Sequence, residues 1–490
     1  MMKQIGLWIA LTLLAVSCND WLDVRSSAES KDKEQFSSVQ GFYDALTGCY
    51  MALAKQDVYG ERLTMSDIEA LAGLWELQKD DANDERVAAC YDLSVKAFSS
   101  DNARAAIQKI YAGLYNVIAQ ASMIIKYAEE KGGVFTDPTV RDVIMGEAYA
   151  LRAYCQLDVL RLFGQLPRGG KQVELPYSST TSIDEMPAYY GFDDYVEKLE
   201  TDLVKAENLL QDNDPVFAYT FTDLNGKTDI GNDFLTYRQF RLNFWAVRAL
   251  HARLELYIGH AQKALAIARE IIGATGADGE PVMSLSGTSD FAEGYVLCPS
   301  ECLFCLSKYN VKTLSTEFLI GGETGVQYDP TKHLAITQDK LINDLFKGEN
   351  TGSHNRFINC WNRKVQNNLG TVYAAIKKYW YDDDAEDQTL CRQLIPMLRM
   401  SEVYLIAMET SEDKEEVNRW YKEYMRAHDV LSEVGFTSLD EARKWVRDEH
   451  RREFFAEGQA FYTSKRVATD DSGYILPLPE TEFNPNNLQN

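Results

Sequence analysis

The sequence predicts a mostly α-helical protein, a set of tetratricopeptide-like helical hairpins with loop-rich insertions that contain short strands. Three observations carry that expectation. First, apolar or small residues stand at 140, 144, 148, 151, 155, 159 and 162, and steps of three and four place them on one helix face. Second, a small-apolar-Arg-small unit recurs at 150–153 and 246–249, and each copy runs on to a glycine, Gly164 or Gly259. Third, from about 274 to 390 Gly, Asp, Ser and Thr increase and the helical period fades.

The chain opens with a segment of another kind. Lys3 precedes a 12-residue apolar run, Ile5 to Val16, followed by the small Ser17 and then Cys18. Such a run is too short to span a bilayer, which takes about 20 residues, and suits a secretory signal. The order of basic residue, apolar run, small residue and cysteine predicts a lipoprotein signal peptide over 1–17, with Cys18 as the lipidated first residue. An ordinary secretory signal with an incidental cysteine is the other reading of the same residues. The remainder, 18–490, is expected to be a single domain. Its helical scaffold would cover about 30–273 and 391–467, with a loop-rich insertion at about 274–390 and a tail at 468–490.

A hydrophobic content of 45% with 12 prolines fits a folded globule and not a disordered stalk. The formal charge of −24 argues against nucleic acid and anionic lipid surfaces as partners. Tyrosine (27), phenylalanine (21) and tryptophan (8) are plentiful, and rings beyond the needs of a core suit flat apolar ligand faces such as those of sugars.

Helices are predicted near 36–55, 103–130, 138–164, 192–210, 236–258, 261–273, 396–410, 413–433 and 438–457. Asp137 is placed to cap the third, with Pro138 at its first position. Ser438 and Glu441 have capping-box spacing at the start of the last. The alanine-rich HAQKALAIAREII after Gly259 suits close helix approach, as in a tetratricopeptide hairpin, and plain antiparallel packing fits it too. Residues 60–100 read as a second insertion. Within 274–390, YVLCPSECLFCLSKYN and AAIKKYWYDD read as strand-like pieces.

Eight cysteines besides Cys18 are scattered too widely for a disulfide framework. Cys298, Cys302 and Cys305 could supply three thiolates to zinc, but no fourth ligand has motif spacing, and the same segment reads as a half-buried strand in which cysteine is a small hydrophobe. No metal or cofactor is expected. The acidic run Tyr381 to Asp387 has oxygen ligands for calcium without an EF-hand pattern, and reads as a solvated loop. Nucleotide-binding glycine motifs, GxSxG and HExxH are absent. Glu449, Glu453 and Glu457 share one helix face with Arg451, Arg452 and Lys465 nearby, which reads as ion pairing and not as a catalytic carboxylate pair.

Several stretches, in order, resemble the SusD/RagB family of Bacteroidetes outer-membrane lipoproteins. CNDWLDV resembles the family's lipid cysteine and acidic start, and GFYDALTGCYMAL its first helix. ALRAYCQLDVLRLFGQLP resembles the helix that runs into Phe-Gly and Pro. PSECLFCLSKYN stands where members carry a Ser-x-Glu strand, and IPMLRMSEVYLIAMET resembles an Arg-x-x-Glu-x-x-Leu helix on Arg399, Glu402, Leu405 and Glu409. VRDEHRREFFAEGQAFYTSKR and YILPLPETEFNPNNLQN resemble the last helix and the closing tail. The family's arginine after Glu-Gly is Ala460 here, its Asp-Leu is Thr463-Ser464, and its Arg-Trp is Arg466-Val467, which marks a divergent member.

The resemblance implies a non-enzymatic, surface-exposed lipoprotein anchored to the outer membrane through Cys18. It implies a SusC-like TonB-dependent transporter as partner and an oligosaccharide as the captured ligand, or a peptide as in one branch of the family. A surface hydrolase is the alternative from another class. Sugar rings stack on Trp and Tyr while Asn, Asp, Arg and Gln bond their hydroxyls. The candidate binding residues are therefore Trp75, Tyr295, Tyr328, Asn359, Trp361 and Arg363, with Tyr91, Trp380 and Asn362 beside them. For each aromatic, a place in the core is the competing reading.

Overall fold

In the computed structural model, which describes residues 27–78, 84–182, 185–382, 389–432 and 434–482, the chain enters through α1 (Ser27–Gln35) and α2 (Val39–Leu53). The signal segment, Cys18 and residues 383–387 of the acidic run lie outside the described residues. The first part of the 60–100 stretch is not the surface insertion that its composition suggests; the described residues 60–78 and 84–100 contain two helices. These are α3 (Asp67–Leu71) and α4 (Glu85–Ser94), and every residue from 58 to 71 except Arg62 is buried. Local backbone bonds let the polar segment go inside: the Glu61 carbonyl accepts from the amides of Thr64, Met65 and Ser66 at 3.2, 2.7 and 3.2 Å.

Two long helices follow, α5 (Asp101–Glu130) and α6 (Pro138–Phe163). The Ser100 hydroxyl accepts from the Ala103 amide at 3.1 Å, and Asp137 accepts from the Thr139 amide at 2.9 Å with Pro138 behind it, as the sequence predicts. Every residue of α6 from Val143 to Phe163 is buried. A helix buried on all sides must pair its polar groups within the protein. Glu147 accepts from Tyr50 at 2.6 Å, from Arg241 at 2.9 Å and from Arg238. Gln156 donates to the Ser178 carbonyl at 3.2 Å, and Asp158 accepts from Tyr59 at 2.7 Å.

After a minimal hairpin, β1 (Leu175–Pro176) with β2 (Tyr189–Tyr190), come α7 (Phe192–Leu210), α8 (Phe244–Ile258) and α9 (Ala261–Gly273). The helix expected from 236 starts at 244 because Tyr237 is left-handed, 238–240 form a tight turn and Asn243 caps Ala246 at 3.0 Å. The repeated arginines do equivalent work. Arg152 joins α6 to Asp202 of α7 at 2.7 and 2.8 Å, and Arg248 joins α8 to Glu207 of α7 at 3.0 Å and to Glu270 of α9. The repeated glycines differ: Gly259 ends α8 with φ +87°, whereas Gly164 leaves α6 in extended conformation.

The insertion contains α10 (Thr288–Ala292), β3 (Cys302–Ser307), α11 (Val311–Leu314), β4 (Ile336–Thr337), α12 (Asn355–Asn359), β5 (Trp361–Gln366), β6 (Val372–Ile376) and α13 (Thr389–Arg392). Strands β4, β6 and β5 form an antiparallel sheet in that order, and β3 pairs antiparallel with β7 (Leu394–Arg399). Residues 396–399, expected as the start of a helix, are thus strand. The run is buried throughout, and such a run carries no period to separate strand from helix. Pro396 is tolerated because β7 has β3 as its strand partner on one side. The scaffold resumes with α14 (Met400–Thr410), α15 (Lys414–Ala427), α16 (Leu439–Glu453) and α17 (Ala460–Val467). Ser438 caps the Glu441 amide at 3.2 Å, while the Glu441 carboxylate reaches Thr437 and not Ser438.

One apolar core runs from Phe36 to Leu476 and takes in both the helices and the insertion. Across their junction lies a buried ion network. Glu453 accepts from Arg356 at 2.5 to 3.0 Å and from Arg399 at 2.7 Å, and Glu457 accepts from Lys378 at 2.5 Å and from Arg399 at 2.9 Å. Ion pairing is the role of these glutamates, though the partners differ from those near in sequence. Arg451 goes to Asp344 at 2.8 Å and Lys465 to the Gly164 carbonyl at 2.7 Å. Arg452 does pair with Glu449. The helix stops at 453, short of the expected 457, since Ala456 and Gly458 both have positive φ.

Candidate ligand-binding cleft

A cleft of about 400 Å³ opens where the 215–240 segment meets the first part of the insertion. That volume lies within the roughly 300–1,000 Å³ common for small-ligand sites. Its first wall is the loop Val216 to Asn225. Asp223 holds that loop by accepting from the Thr220 amide at 3.1 Å, the Thr220 hydroxyl at 2.6 Å and the Thr228 hydroxyl at 3.0 Å. These bonds, Thr220's first, also keep its carboxyl below the usual range. Tyr219 and Phe221 bring aromatic surface to this wall. The second wall is a tight turn, in which Gly276 donates to the Glu280 carbonyl at 2.7 Å and Val282 to the Ala274 carbonyl at 2.9 Å. The third comes from α10 and the residues after it. Asp290 gathers the Ser286 hydroxyl, the Ser300 hydroxyl at 2.7 Å and the Ser300 amide at 3.3 Å.

Asn225 and Gln239 give the cleft a directed polar group. Gln239 donates its amide nitrogen to the carbonyls of Pro299 (2.5 Å) and Cys302 (2.8 Å), so its oxygen is left to accept, and it takes the Asn225 amide at 3.2 Å. The orientation of the Asn225 amide follows from that bond. Its Oδ1 is buried and has no hydrogen-bond partner. A buried acceptor in this condition is costly unless a ligand or water satisfies it.

Of the residues expected from sequence to bind ligand, Tyr295 lines this cleft, half-buried, with the Arg392 guanidinium 5.1 Å from its ring centre. The others are elsewhere. Trp75 and Trp361 are 3% and 4% exposed and meet Phe455 edge-on, each at 4.8 Å between ring centres. Neither ring offers a free face, and the Trp75 indole nitrogen donates to the Met65 carbonyl at 2.9 Å. Tyr328 is buried against Tyr373 of β6 at 4.4 Å. Asn359 donates to the carbonyl of Asn355 in its own helix at 3.1 Å, and the exposed Arg363 lies over the Phe357 ring at 4.6 Å. Trp380 is half-buried and donates to Glu323 at 3.0 Å. Asn225, Gln239 and Asp290 escaped sequence reading. The turn signal Asn225-Gly226 was the visible clue, but nothing local links Asn225 to Gln239 or to Pro299.

Two further concavities are present. One of about 1310 Å³ lies between the start of α5 and the tail at 471–480, where Arg104 bridges Asp101 at 2.7 Å and Glu480 at 2.8 Å. One of about 390 Å³ lies over the Arg152–Asp202 pair beside Tyr190, whose ring holds Lys198 at 4.3 Å. In each, one buried or bridging arginine is paired with carboxylates of the wall.

Among the described residues, two groups bring three potential metal ligands within 4.8 Å of one another. In the first, His354 accepts through Nδ1 from the Arg356 amide at 3.2 Å, which puts its proton on Nε2, while Glu449 accepts from Tyr424 at 3.0 Å and pairs with Arg452. Burial holds His354 neutral, at about 3. In the second, His251 spends both nitrogens on Glu207 at 2.8 Å and Glu255 at 3.3 Å. Both are ion-pair and hydrogen-bond clusters. Cys298 accepts from Arg356 at 2.6 Å, and Cys302 and Cys305 are buried in β3, so the three do not form a thiolate site. No described helix is long and apolar enough to cross a membrane.

A SusD-like family model, described as "Starch-binding associating with outer membrane", matches residues 20–223. No curated protein matches the chain in sequence. Solved structures share its fold over most of their length. A SusD superfamily protein from Bacteroides thetaiotaomicron is 21% identical, with a TM-score of 0.64 over 88% of this chain and 89% of its own. A SusD-like carbohydrate-binding protein from Bacteroides vulgatus is 14% identical, with a TM-score of 0.62 over 88% and 83%. A laminarin-binding SusD-like protein is 14% identical, with a TM-score of 0.61 over 90% and 96%.

Proposed function

We propose that this chain, SusD-like in its fold and in the family model that its N-terminal part matches, is a cell-surface lipoprotein that binds an oligosaccharide and delivers it to a SusC-like TonB-dependent outer-membrane transporter. Cys18 is its lipid attachment site. Several acyl chains, each contributing about 0.8 kcal/mol per buried methylene, anchor it without a transmembrane helix. The protein binds and does not cleave. The observation that carries the reading is the loop-built cleft, lined by Tyr219, Tyr295 and Asn225, whose buried side-chain oxygen is unpartnered. Aromatic surface next to oriented hydrogen-bonding groups matches a sugar, which has apolar faces and hydroxyl edges. The fold shared with a laminarin-binding protein supports the same ligand class.

The test is calorimetric titration of the chain from residue 19 onward with oligosaccharides and with mixed peptides. Saturable oligosaccharide binding is expected, with no products formed on long incubation. Peptide binding alone would transfer the reading to the RagB-like branch, and product formation would make the protein a hydrolase. Metabolic labelling with a radioactive fatty acid checks the anchor: label enters the natural chain and not Cys18→Ser.

A further inference from the structure

We infer that the cleft selects neutral oligosaccharides over those carrying carboxylates or sulfates, a reading that rests on the glycan-binding proposal and narrows it. The polar lining consists of amides, hydroxyls and carboxylates: Asn225, Thr222, Ser284, Asp278, Asp290 and Ser300. Among the described residues, no lysine or arginine lines it. Of the basic residues next along the chain, Arg238 is buried and paired with Asp214 and Glu147, and Arg241 pairs with Glu147. Arg392 lies over the Tyr295 ring and donates to the Glu293 carbonyl at 3.1 Å, its buried Nε without a partner, and Lys227 is exposed at the end of the 223–227 turn.

Anion recognition needs what this lining lacks. A uronate or sulfate is held by arginine, lysine or several converging N–H donors. Here the Gln239 amide hydrogens are spent on the Pro299 and Cys302 carbonyls, and the Asn225 amide donates to the Gln239 oxygen. What remains in the lining is the exposed Asp278 carboxylate, the hydroxyls of Thr222 and Ser284, and the buried, unpartnered Asn225 Oδ1, with the Asp290 carboxylate behind Ser286 and Ser300. Sugar hydroxyls donate to such groups. An anionic ring would bring its charge against Asp278 and Asp290 with no cation in the lining to offset it, and this repulsion rejects the wrong ligand as surely as contacts favour the right one. The net charge of −24 acts in the same direction at longer range.

The test titrates the chain from residue 19 with neutral gluco-, xylo- and manno-hexasaccharides, with oligogalacturonate of equal length, and with that oligogalacturonate after reduction of its carboxyls to alcohols, at low and high salt. The expected result is saturable binding of at least one neutral oligomer, at least tenfold tighter than oligogalacturonate. Carboxyl reduction should close part of that gap, and salt should narrow it. Asn225→Ala and Tyr219→Ala should each weaken neutral binding about tenfold with unfolding temperature and circular dichroism retained. Oligogalacturonate binding as tightly as the neutral oligomers overturns the inference and leaves the glycan reading standing. Peptide binding with no glycan binding overturns both. Neutral binding unchanged in both folded variants places the site elsewhere and overturns the assignment to this cleft.

Discussion

Arg253 of α8 and Glu402 of α14 face each other in the core and are joined by two parallel hydrogen bonds, 2.7 Å from Nε and 2.6 Å from Nη2. They are 149 residues apart in the chain, with the whole insertion between them. Arg253 also donates to the Met397 carbonyl at 2.7 Å and meets the Tyr154 hydroxyl at 3.1 Å. The pair therefore ties the first block of helices to the second and to β7. Removing one partner leaves a buried charge alone, which typically costs about 3–5 kcal/mol. Glu402→Ala and Arg253→Ala are each expected to lose that much in urea unfolding. The double variant Arg253→Met/Glu402→Leu should lose clearly less than the sum of the singles.

Trp361→Ala is expected to be a core lesion. The ring is 4% exposed against Phe455, and large-to-small changes at such sites cost about 3–5 kcal/mol. Chemical denaturation should show that loss. Ligand affinity measured well below the variant's unfolding transition should match that of the natural chain, in contrast to Tyr219→Ala.

The α7–α8 contact should depend on pH. Burial alone would lower the His251 value, but Glu207 and Glu255 outweigh it and raise it to about 9. A histidine raised in the folded state stabilises fully below its ordinary value of about 6.5 and loses that contribution as pH rises through 9. Glu255, held down to about 2 against its own burial by His251 and its other partners, contributes above the ordinary carboxylate range and loses it as pH falls through 2. Stability should therefore decline between pH 6.5 and 9. His251→Gln is expected to flatten that limb by about 2 kcal/mol, read from urea midpoints across the range.

Glu69 and Gly458 make a second titrating contact. Burial raises the Glu69 carboxyl to about 8, and its Oε1 accepts from the Gly458 amide at 2.7 Å. A carboxyl raised in the folded state works in the opposite sense to a salt-bridged one: the folded protein keeps a proton that the unfolded chain releases. Stability then falls as pH climbs from about 4.3 toward 8. Glu69→Gln should remove that slope and leave stability at pH 4 close to that of the natural chain. Gly458 has φ +78°, and a Cβ there would sit 2.0 Å from the Leu63 carbonyl oxygen. Gly458→Ala is expected to lose about 3 kcal/mol or more, from strain and collision together.

The helices, most of their caps and the recurrence of the unit that carries Arg152 and Arg248 were legible in the sequence, because helical period and capping chemistry operate within four residues of chain; the ion pairs of those two arginines, 22 to 50 residues away, were not. The strand β3 was legible for a similar reason. The decisions left to tertiary structure all concern partners far apart in sequence. The polar segment 58–71, Arg62 apart, went inside because local bonds satisfied it and α17 and the Gly458 turn covered it. Trp75 and Trp361, each a reasonable sugar platform by its neighbours, became core when both met Phe455. The Asn225 oxygen became a directed, unsatisfied acceptor through Gln239, whose own hydrogens go to carbonyls some 60 residues onward. Composition and period report what a residue can do locally. Burial and hydrogen-bond partnership, which decide whether a ring or an amide is available to a ligand, exist once distant segments pack.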